Sequence, residues 1–257
     1  MKGYSACIEM LFREADFEQR AALAQDAGYA AVEFWRWHDK DFSGIRSTGM
    51  PVAAAMVDSA DEAKREISAR IGMLAHESRE LFAEMVEESC AAISDLGGKF
   101  LIIAPGQTLS FLSRGAQEDN IIRCLKAAQP ILEKWNMELA IEPLNPIVDH
   151  VGSYLNTSAQ AFSVVRAAGA GRIGVLFDVY HQQITEGNLI ANICENIGLI
   201  KHIHAADVPG RHAPGTGEIN YKNVIAAIRG AGYAGYIGCE FNPAGDSARA
   251  SKEILSL

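Results

Sequence analysis

The run Leu139-Ala140-Ile141-Glu142-Pro143-Leu144-Asn145 decides the fold prediction, because an apolar strand ends there in one carboxylate and a proline stops it at once. Burying a carboxylate at the tip of a strand costs desolvation free energy, so an acid retained there is a candidate for a functional role. Three later apolar runs also end in an acid or a histidine: Val175-Leu176-Phe177-Asp178, Ile200-Lys201-His202-Ile203-His204 and Tyr236-Ile237-Gly238-Cys239-Glu240. Four such tips on four successive strands predict a metal site.

Apolar runs and segments of helical spacing alternate along the whole chain. Besides the opening run, the predicted strands are residues 5–8, 31–35, 51–56, 99–104, 173–177, 200–204 and 235–240. Strands that are apolar throughout are buried on both faces, as in a closed parallel barrel. A doubly wound open sheet is the competing architecture, but no glycine-rich GxGxxG turn follows the first strand. We expect an α/β fold, a single (β/α)8 TIM barrel that spans residues 1–257 as one domain.

The segments between the strands have helical patterns of different clarity. Asp16 is expected to begin the first helix as a box-type cap, and Gly28 to end it. Pro130 should kink or split the helix that follows the fourth strand. Other helices are expected within a long region after the third strand and at residues 118–135, 158–168 (stopping near Gly169-Ala170-Gly171), 188–197, 221–229 and 247–257.

Size and charge restrict the class of protein. A chain of 257 residues with 49% hydrophobic content can bury a single large core. No signal peptide is recognisable and no apolar run reaches the roughly 18 residues of a membrane span, so we expect a cytoplasmic protein without a membrane partner. The net charge of −9 argues against nucleic acid as a partner. Five scattered cysteines without a CxxC pair argue against a zinc ribbon or a disulfide framework.

The strand-tip residues Glu142, Asp178, His204 and Glu240 form an oxygen-rich ligand set with one nitrogen. Mn²⁺ or Mg²⁺ suits that mixture best, with Co²⁺ and Zn²⁺ as alternatives. A divalent ion with open positions could bind two neighbouring oxygens of a substrate, polarise its carbonyl and stabilise an enediolate. The two glutamates could then remove and return a proton on opposite faces of that planar species.

The chain resembles the xylose isomerase-like TIM barrels and, within them, the hydroxypyruvate isomerase branch, which is related to the ketose 3-epimerases. The similarity spans nearly the whole chain, and the motifs that carry it are SACIEMLF near the start, IEPLN at 141–145, FDVYH at 177–181, HIHAADVPGRHAPGTGEINY at 202–221 and GYIGCEF at 235–241. The resemblance implies an isomerase that interconverts a hydroxyaldehyde and a hydroxyketone. Its substrate would be a small sugar or hydroxy-keto acid, and a homo-oligomer is an open alternative to a monomer.

The resemblance also assigns roles to individual residues. It implies that Glu142, Asp178, His204 and Glu240 bind the metal, and that the two glutamates are the acid/base pair. It further implies that His181 and Arg211 hold substrate oxygens. Independently of the resemblance, Trp35 and Trp37 alternate at the mouth of the second strand, so each could wall the substrate pocket or pack in the core.

Three alternative functions follow from the sequence. Members of the hydroxypyruvate isomerase branch often carry glutamine in place of His204, and a Phe-Pro turn in place of residues 34–39, so a ketose 3-epimerase stays open. An endonuclease IV-like repair enzyme is disfavoured, because its trinuclear zinc site needs extra histidines on the third and fourth strands. Those strands end here in Met56-Val57-Asp58 and Ala104-Pro105-Gly106. A non-catalytic sugar-binding barrel is disfavoured because both glutamates are present.

Several further polar residues have open roles. His202 is either a core histidine or part of the site, and Asp207 is either a partner of a metal ligand or a loop acid. Glu218 is expected to bond loop amides and hold a lid in place. The remaining histidines are expected at the surface or in loops: His38, His76, His150 and His212.

Overall fold

Eight parallel strands close into a barrel in chain order in the computed structural model, which describes residues 1–169 and 171–257. The strands are β1 (Gly3–Cys7), β2 (Ala31–Phe34), β3 (Val52–Met56), β4 (Phe100–Ile103), β5 (Glu138–Ile141), β6 (Ile173–Asp178), β7 (Ile200–Ala205) and β8 (Tyr236–Cys239). The barrel closes because β1 pairs with β8, in a register that joins Gly3 to Tyr236 and Ala6 to Cys239. The predicted (β/α)8 barrel is therefore confirmed, and the open sheet is excluded.

Helices surround the barrel and follow its strands in the chain. They are α1 (Phe17–Ala27), α2 (Ser43–Thr48), α3 (Glu62–Ile71), α4 (Ser78–Ser94), α5 (Arg114–Trp135), α6 (Ser158–Ala168), α7 (Val179–Thr185), α8 (Leu189–Asn196), α9 (Tyr221–Gly230), α10 (Ser247–Ala250) and α11 (Lys252–Leu255). Within the described ranges, no helix has both the length and the apolar composition needed to cross a bilayer.

The helices differ from the sequence prediction in three places. The region after β3 holds two helices, because Gly72 adopts a left-handed φ of 53° where a Cβ would lie 2.1 Å from the carbonyl oxygen of Pro105. Helix α5 continues through Pro130 as one helix. Pro130 and Lys126 are exposed, so water can bind the carbonyl that the proline leaves free. Helix α7 was not predicted; the Asp178 carboxylate starts it by accepting two backbone N–H groups.

The helix ends show two further differences. Asp16 stands at the N-cap of α1, but its side chain makes no capping hydrogen bond, so the predicted box-type cap is wrong. Gly28 ends α1 in the left-handed conformation, as its position predicts. Helix α6 ends with Gly169 in the same conformation, while Ala170 of the predicted stop lies outside the described residues. The C-terminal segment forms two short helices, α10 and α11, where one was expected.

The core has an inner and an outer part, as a closed barrel requires. The outer part packs the strands against the helices. The inner part fills the barrel with a smaller cluster of side chains: Ala54, Phe100, Ile102, Ala140 and Leu176, with Met56 against them. The His202 ring lies 5.5 Å from the Phe100 ring, and His202 pairs in register with Leu176, so the polar residues of β7 adjoin this apolar cluster.

Candidate active site

The four predicted metal ligands meet at the C-terminal mouth of the barrel. Glu142 follows β5, Asp178 ends β6, His204 lies in β7 and Glu240 follows β8. One donor atom from each residue lies within 4.8 Å of the donors of the other three. All four side chains are buried, and Asp178 pairs in register with His204. Parallel strands that end at one level therefore turn four residues, far apart in the chain, into one tetrad.

The two glutamates of the tetrad have opposite electrostatic environments. Burial raises the pKa of Glu142 to about 8, because the loss of water around its carboxylate, together with the charges of Glu240 and Asp178, outweighs the opposing effects of His204 and Arg211. Burial acts in the same direction on Glu240, but the Arg211 guanidinium and His204 outweigh it and hold the pKa of Glu240 well below its usual range. In the metal-free protein the pKa of Glu142 therefore lies well above that of Glu240.

The tetrad has the donors and the free atoms that a divalent ion needs. Glu142 Oε1 and His204 Nδ1 are buried and lack a hydrogen-bond partner among the described residues. They lie 3.9 Å apart, and His204 Nδ1 lies 3.1 Å from Glu240 Oε2. Three carboxylates and one imidazole nitrogen suit Mg²⁺ or Mn²⁺. The residues therefore fit a divalent ion bound between them.

Arg211 reaches the tetrad from the loop after β7. Its Nη2 donates to Glu240 Oε2 at 2.6 Å and to Asp178 Oδ2 at 3.3 Å. The guanidinium also lies 5.3 Å from the centre of the Tyr180 ring. The backbone of Arg211 is left-handed, with φ of 55°, and follows Gly210 with φ of 88°. The structure therefore places this predicted substrate-binding residue at the mouth of the barrel with its charge aimed inward.

His181 lies fully buried beside the tetrad. Asn145 Nδ2 lies 2.7 Å from His181 Nδ1, and Asn145 Oδ1 accepts the backbone N–H of Val148, which orients the amide. Because the amide donates to Nδ1, the ring proton belongs on Nε2. That atom lies 3.5 Å from Asp178 Oδ2 and lacks a hydrogen-bond partner in the described chain. Burial lowers the pKa of His181 to about 4, so the ring is neutral and its Nε2–H can donate to a ligand.

The two tryptophans after β2 point in different directions. Trp35 is 38% exposed, and its Nε1 donates to Glu240 Oε1 at 2.6 Å. Trp37 instead donates to Ser89 on α4 and packs against the core. Trp35 and Met56 line both a narrow cavity at the tetrad and an adjoining cavity of about 640 Å³. Trp35 therefore lines the cavities at and beside the tetrad, and Trp37 lines neither.

Glu33, a carboxylate in the middle of β2, was not among the residues predicted from the sequence to form the site. It is 2% exposed, and its Oε2 accepts hydrogen bonds from Ser5 Oγ and His202 Nε2, both at 2.9 Å. Its Oε1 lies 3.1 Å from His204 Nε2. His202 is thus a buried histidine held by Glu33. The available signal was an acid within the apolar strand Ala31-Val32-Glu33-Phe34, where a charge needs a partner.

Asp207 holds the loop between β7 and α9. Its carboxylate is fully buried and accepts four backbone N–H groups, from Val208, Gly215, Gly217 and Ile219. Asp207 is therefore the loop acid of the two alternatives. Asp207 thus bonds the loop amides, a role that was expected of Glu218.

Glu218 and the remaining histidines were predicted with mixed success. Glu218 is exposed and accepts a hydrogen bond from Gln183, so its predicted role in bonding loop amides is wrong. His76 and His212 are exposed as expected. His150 is half-buried with its ring 5.2 Å from that of His181, which places it beside the site. His38 is half-buried as well and bonds Asp58 at 2.6 Å.

Comparison with known proteins places this geometry in a family. The chain is 30% identical to hydroxypyruvate isomerase of Escherichia coli over 249 residues, which is 95% of this chain and 94% of the relative. It is 29% identical to 2-oxo-tetronate isomerase of Cupriavidus necator, covering 96% of both chains. A solved structure named AP endonuclease, family 2, from Brucella melitensis superposes with a TM-score of 0.89 at 27% identity and covers 97% of this chain and 96% of that one. The family described as xylose isomerase-like TIM barrel matches residues 21–256, and the chain belongs to that family.

Proposed function

We propose that the protein is a divalent-metal-dependent isomerase of small hydroxycarbonyl or sugar substrates, of the aldose–ketose type seen in hydroxypyruvate isomerase. The observation that carries the proposal is the buried tetrad, in which two glutamates face one space together with Asp178 and His204. The similarity to relatives named hydroxypyruvate isomerase and 2-oxo-tetronate isomerase supports it. Both names describe the movement of a carbonyl group within a small hydroxy-keto acid.

The tetrad would hold the ion, preferably Mn²⁺ or Mg²⁺, which when bound polarises the substrate carbonyl and stabilises negative charge on its oxygens. Glu240 is kept ionised by Arg211 and His204, so it can accept a proton from the substrate carbon. Glu142 gives up its proton when it binds the ion, and its free carboxylate oxygen can then carry a proton at the other face of the substrate. Arg211 and the Nε2–H of His181 point at the same space and would hold substrate oxygens.

Epimerisation at carbon 3 of a ketose is the second candidate, because it differs only in which proton moves. The structural observation that favours it is the cavity of about 640 Å³ beside the tetrad. A three-carbon hydroxy-keto acid would fill a small part of that space, whereas a ketose would extend into it. The histidine at position 204 also supports the epimerase, because members of the hydroxypyruvate isomerase branch often have glutamine at this position.

A repair endonuclease is the candidate of another class, suggested by the name of the Brucella structure. Phosphodiester cleavage by a trinuclear site would need more ligands than the tetrad offers. The mouths of β3 and β4 carry Met56-Val57-Asp58 and Ala104-Pro105-Gly106, which contain no histidine. The acidic net charge also opposes binding of a phosphate backbone. We therefore place the isomerase first.

Deuterium exchange tests the proposal directly. The metal-loaded protein is incubated in D₂O with hydroxypyruvate and a panel of ketoses, and NMR locates the label. With a ketose, deuterium at carbon 1, or at carbon 2 of the aldose product, is the expected result for an isomerase, and deuterium at carbon 3 would establish the epimerase. With hydroxypyruvate, whose exchangeable C–H lies on carbon 3 beside the carbon 2 carbonyl, deuterium at carbon 3, or at carbon 2 of the aldehyde product, is the result expected for the isomerase. Glu142→Gln should abolish exchange, because the amide cannot carry the proton. Glu138→Gln is the matched control, since Glu138 lies in the same strand at the opposite end, paired with Lys201. The mechanism is refuted if none of the substrates acquires deuterium, or if Glu142→Gln keeps full activity.

A further inference from the structure

We propose that Glu33 is a positioning residue that fixes the ring of His204, so that Nδ1 is the nitrogen presented to the metal. The inference rests on the proposed metal site and deepens it, because it assigns a function to a carboxylate outside the tetrad. Glu33 lies in β2 and faces Nε2 of His204, whereas Glu142 and Glu240 face Nδ1 of the same ring. It would act through His204 without touching either ion or substrate.

The surroundings of Glu33 leave one of its oxygens for His204. Oε2 is saturated by Ser5 Oγ and His202 Nε2, each at 2.9 Å. Oε1 has no aligned hydrogen bond within the described residues, and its close donor is His204 Nε2 at 3.1 Å. A buried carboxylate oxygen needs a donor, and a small rotation of the imidazole would align this one.

The same contact decides the tautomer of His204. A neutral imidazole has one N–H and one nitrogen with a free lone pair. Nε2 faces Glu33 Oε1, whereas Nδ1 faces Glu142 and Glu240 at 3.9 and 3.1 Å. With the proton on Nε2, Nδ1 offers its lone pair to the space between the tetrad carboxylates. A carboxylate that accepts the second N–H of a metal-binding histidine orients the ring and raises its basicity.

Strand β8 is shaped to accommodate this pair. A Cβ on Gly238 would lie 2.2 Å from Glu33 Oε1 and 2.7 Å from His204 Cδ2. Glu33 cannot move aside freely, because Ser5 and His202 hold its other oxygen. Glycine is therefore the residue that leaves room for the contact, and an alanine there would disturb it without removing any metal ligand.

A second ion bound by Glu33, His202 and His204 is the competing interpretation of the same cluster. The direct hydrogen bond of 2.9 Å between His202 and Glu33 opposes it, because that distance leaves no space for a cation between the two atoms. The two interpretations differ in stoichiometry. One ion per chain is expected if Glu33 positions His204, and two if the cluster is a metal site of its own.

Calorimetric titration with Mn²⁺, together with NMR of the histidine ring nitrogens in the Mg²⁺-loaded protein, tests the proposal. Wild type should bind one ion, with the His204 proton on Nε2. Glu33→Gln and Gly238→Ala should each bind Mn²⁺ about 10- to 100-fold more weakly, the usual effect of losing such a partner. Asp58→Asn is the matched control and should bind like wild type. It alters a similar carboxylate–histidine pair, with His38, that does not face the tetrad.

The outcomes separate the two proposals. If wild type binds no divalent ion, the metal-dependent function fails, and this inference fails with it. If wild type binds an ion but both variants match its affinity, or His204 Nε2 lacks the proton, or two ions bind, Glu33 does not position His204 and the proposed function still stands. The ring-nitrogen measurement uses wild type alone, so it decides the question even if Glu33→Gln does not fold.

Discussion

At the scale of single residues, Glu142 and Glu240 show how surroundings divide one residue type into two chemical roles. Both follow a barrel strand and both are buried. Glu240 has Arg211 Nη2 at 2.6 Å and Trp35 Nε1 at 2.6 Å, whereas Glu142 Oε1 has no hydrogen-bond partner among the described residues. Cations and donors stabilise the charged form of one, and burial favours the neutral form of the other. Acid and base assignments therefore come from neighbours rather than from residue type.

The raised pKa of Glu142 predicts that metal binding depends on pH. From an ordinary 4.5 the pKa rises to about 8 in the folded, metal-free protein, so the carboxyl keeps its proton below that pH and an ion must displace it. The apparent affinity for the divalent ion should therefore increase with pH up to about 8, and above that pH the contribution of Glu142 should level off. Calorimetry in buffers of different ionisation enthalpy, at about pH 6 and about pH 9, would measure the protons released.

Glu142→Gln is the comparison for this prediction, because its amide has no proton to lose. The variant should release fewer protons than wild type at the lower pH and a similar number at the higher pH. The protons that remain belong to His204, whose pKa is raised well above its usual range once Glu33 and Glu240 outweigh the effect of burial. Equal release by both proteins at the lower pH would show that Glu142 is already ionised without metal.

At the scale of elements, the loop after β7 carries Arg211 and is held from inside by Asp207. Four backbone N–H groups converge on the Asp207 carboxylate. Gly217 fits closely, because a Cβ there would lie 2.1 Å from the Val208 carbonyl oxygen. The backbone N–H of Asn242 also donates to the Arg211 carbonyl at 2.7 Å, which ties the loop to the residues after β8. The position of the guanidinium thus depends on the order of the loop.

Asp207→Asn should loosen this loop. The amide group replaces one acceptor oxygen with a donor that faces backbone N–H groups, so about two hydrogen bonds to a charged acceptor are lost, each worth about 1.5–3 kcal/mol. Hydrogen exchange in residues 208–219 should accelerate, and KM should rise because Arg211 is less well held. Asp246→Asn is the control, since Asp246 accepts one backbone N–H at the exposed start of α10. Unchanged exchange in residues 208–219 would contradict the assigned role.

The elements also show where sequence patterns were sufficient. Each strand was predicted from its apolar run. Eight such runs between helical segments have few arrangements other than a closed barrel, so the architecture was predicted as well. The break between α3 and α4 was missed because it depends on a contact between Gly72 and Pro105, which are far apart in sequence. Helix α7 was missed because it is short and begins at Asp178, whose carboxylate both caps that helix and faces Arg211.

At the scale of the whole molecule, metal binding should stabilise the barrel, because the tetrad joins four strands that lie side by side. An ion that binds only the folded state adds about 2.7 kcal/mol at a concentration 100 times its Kd. For a chain of this size that corresponds to a rise in Tm of about 5–10 °C. Differential scanning calorimetry with Mn²⁺ and with a chelator would measure the difference.

Two variants make this prediction specific to the tetrad. Glu240→Gln removes a ligand and should lose most of the metal-dependent rise in Tm. Glu138→Gln changes a glutamate at the other end of β5 and should keep it. A chelator that leaves the Tm of wild type unchanged would show that the four residues hold no ion of consequence in solution.

The sequence by itself determined the barrel, its eight strands and the position of the tetrad residues at strand ends, because burial on both faces and alternation with helices are properties of local pattern. Only the tertiary structure decided which side chains contact the tetrad residues. Glu33 faces His204 from β2, Arg211 faces Glu240 from a loop, and Trp35 donates to the same glutamate from the segment after β2. These contacts join residues up to 205 positions apart. Closure of the barrel sets their distances, and no local pattern records them.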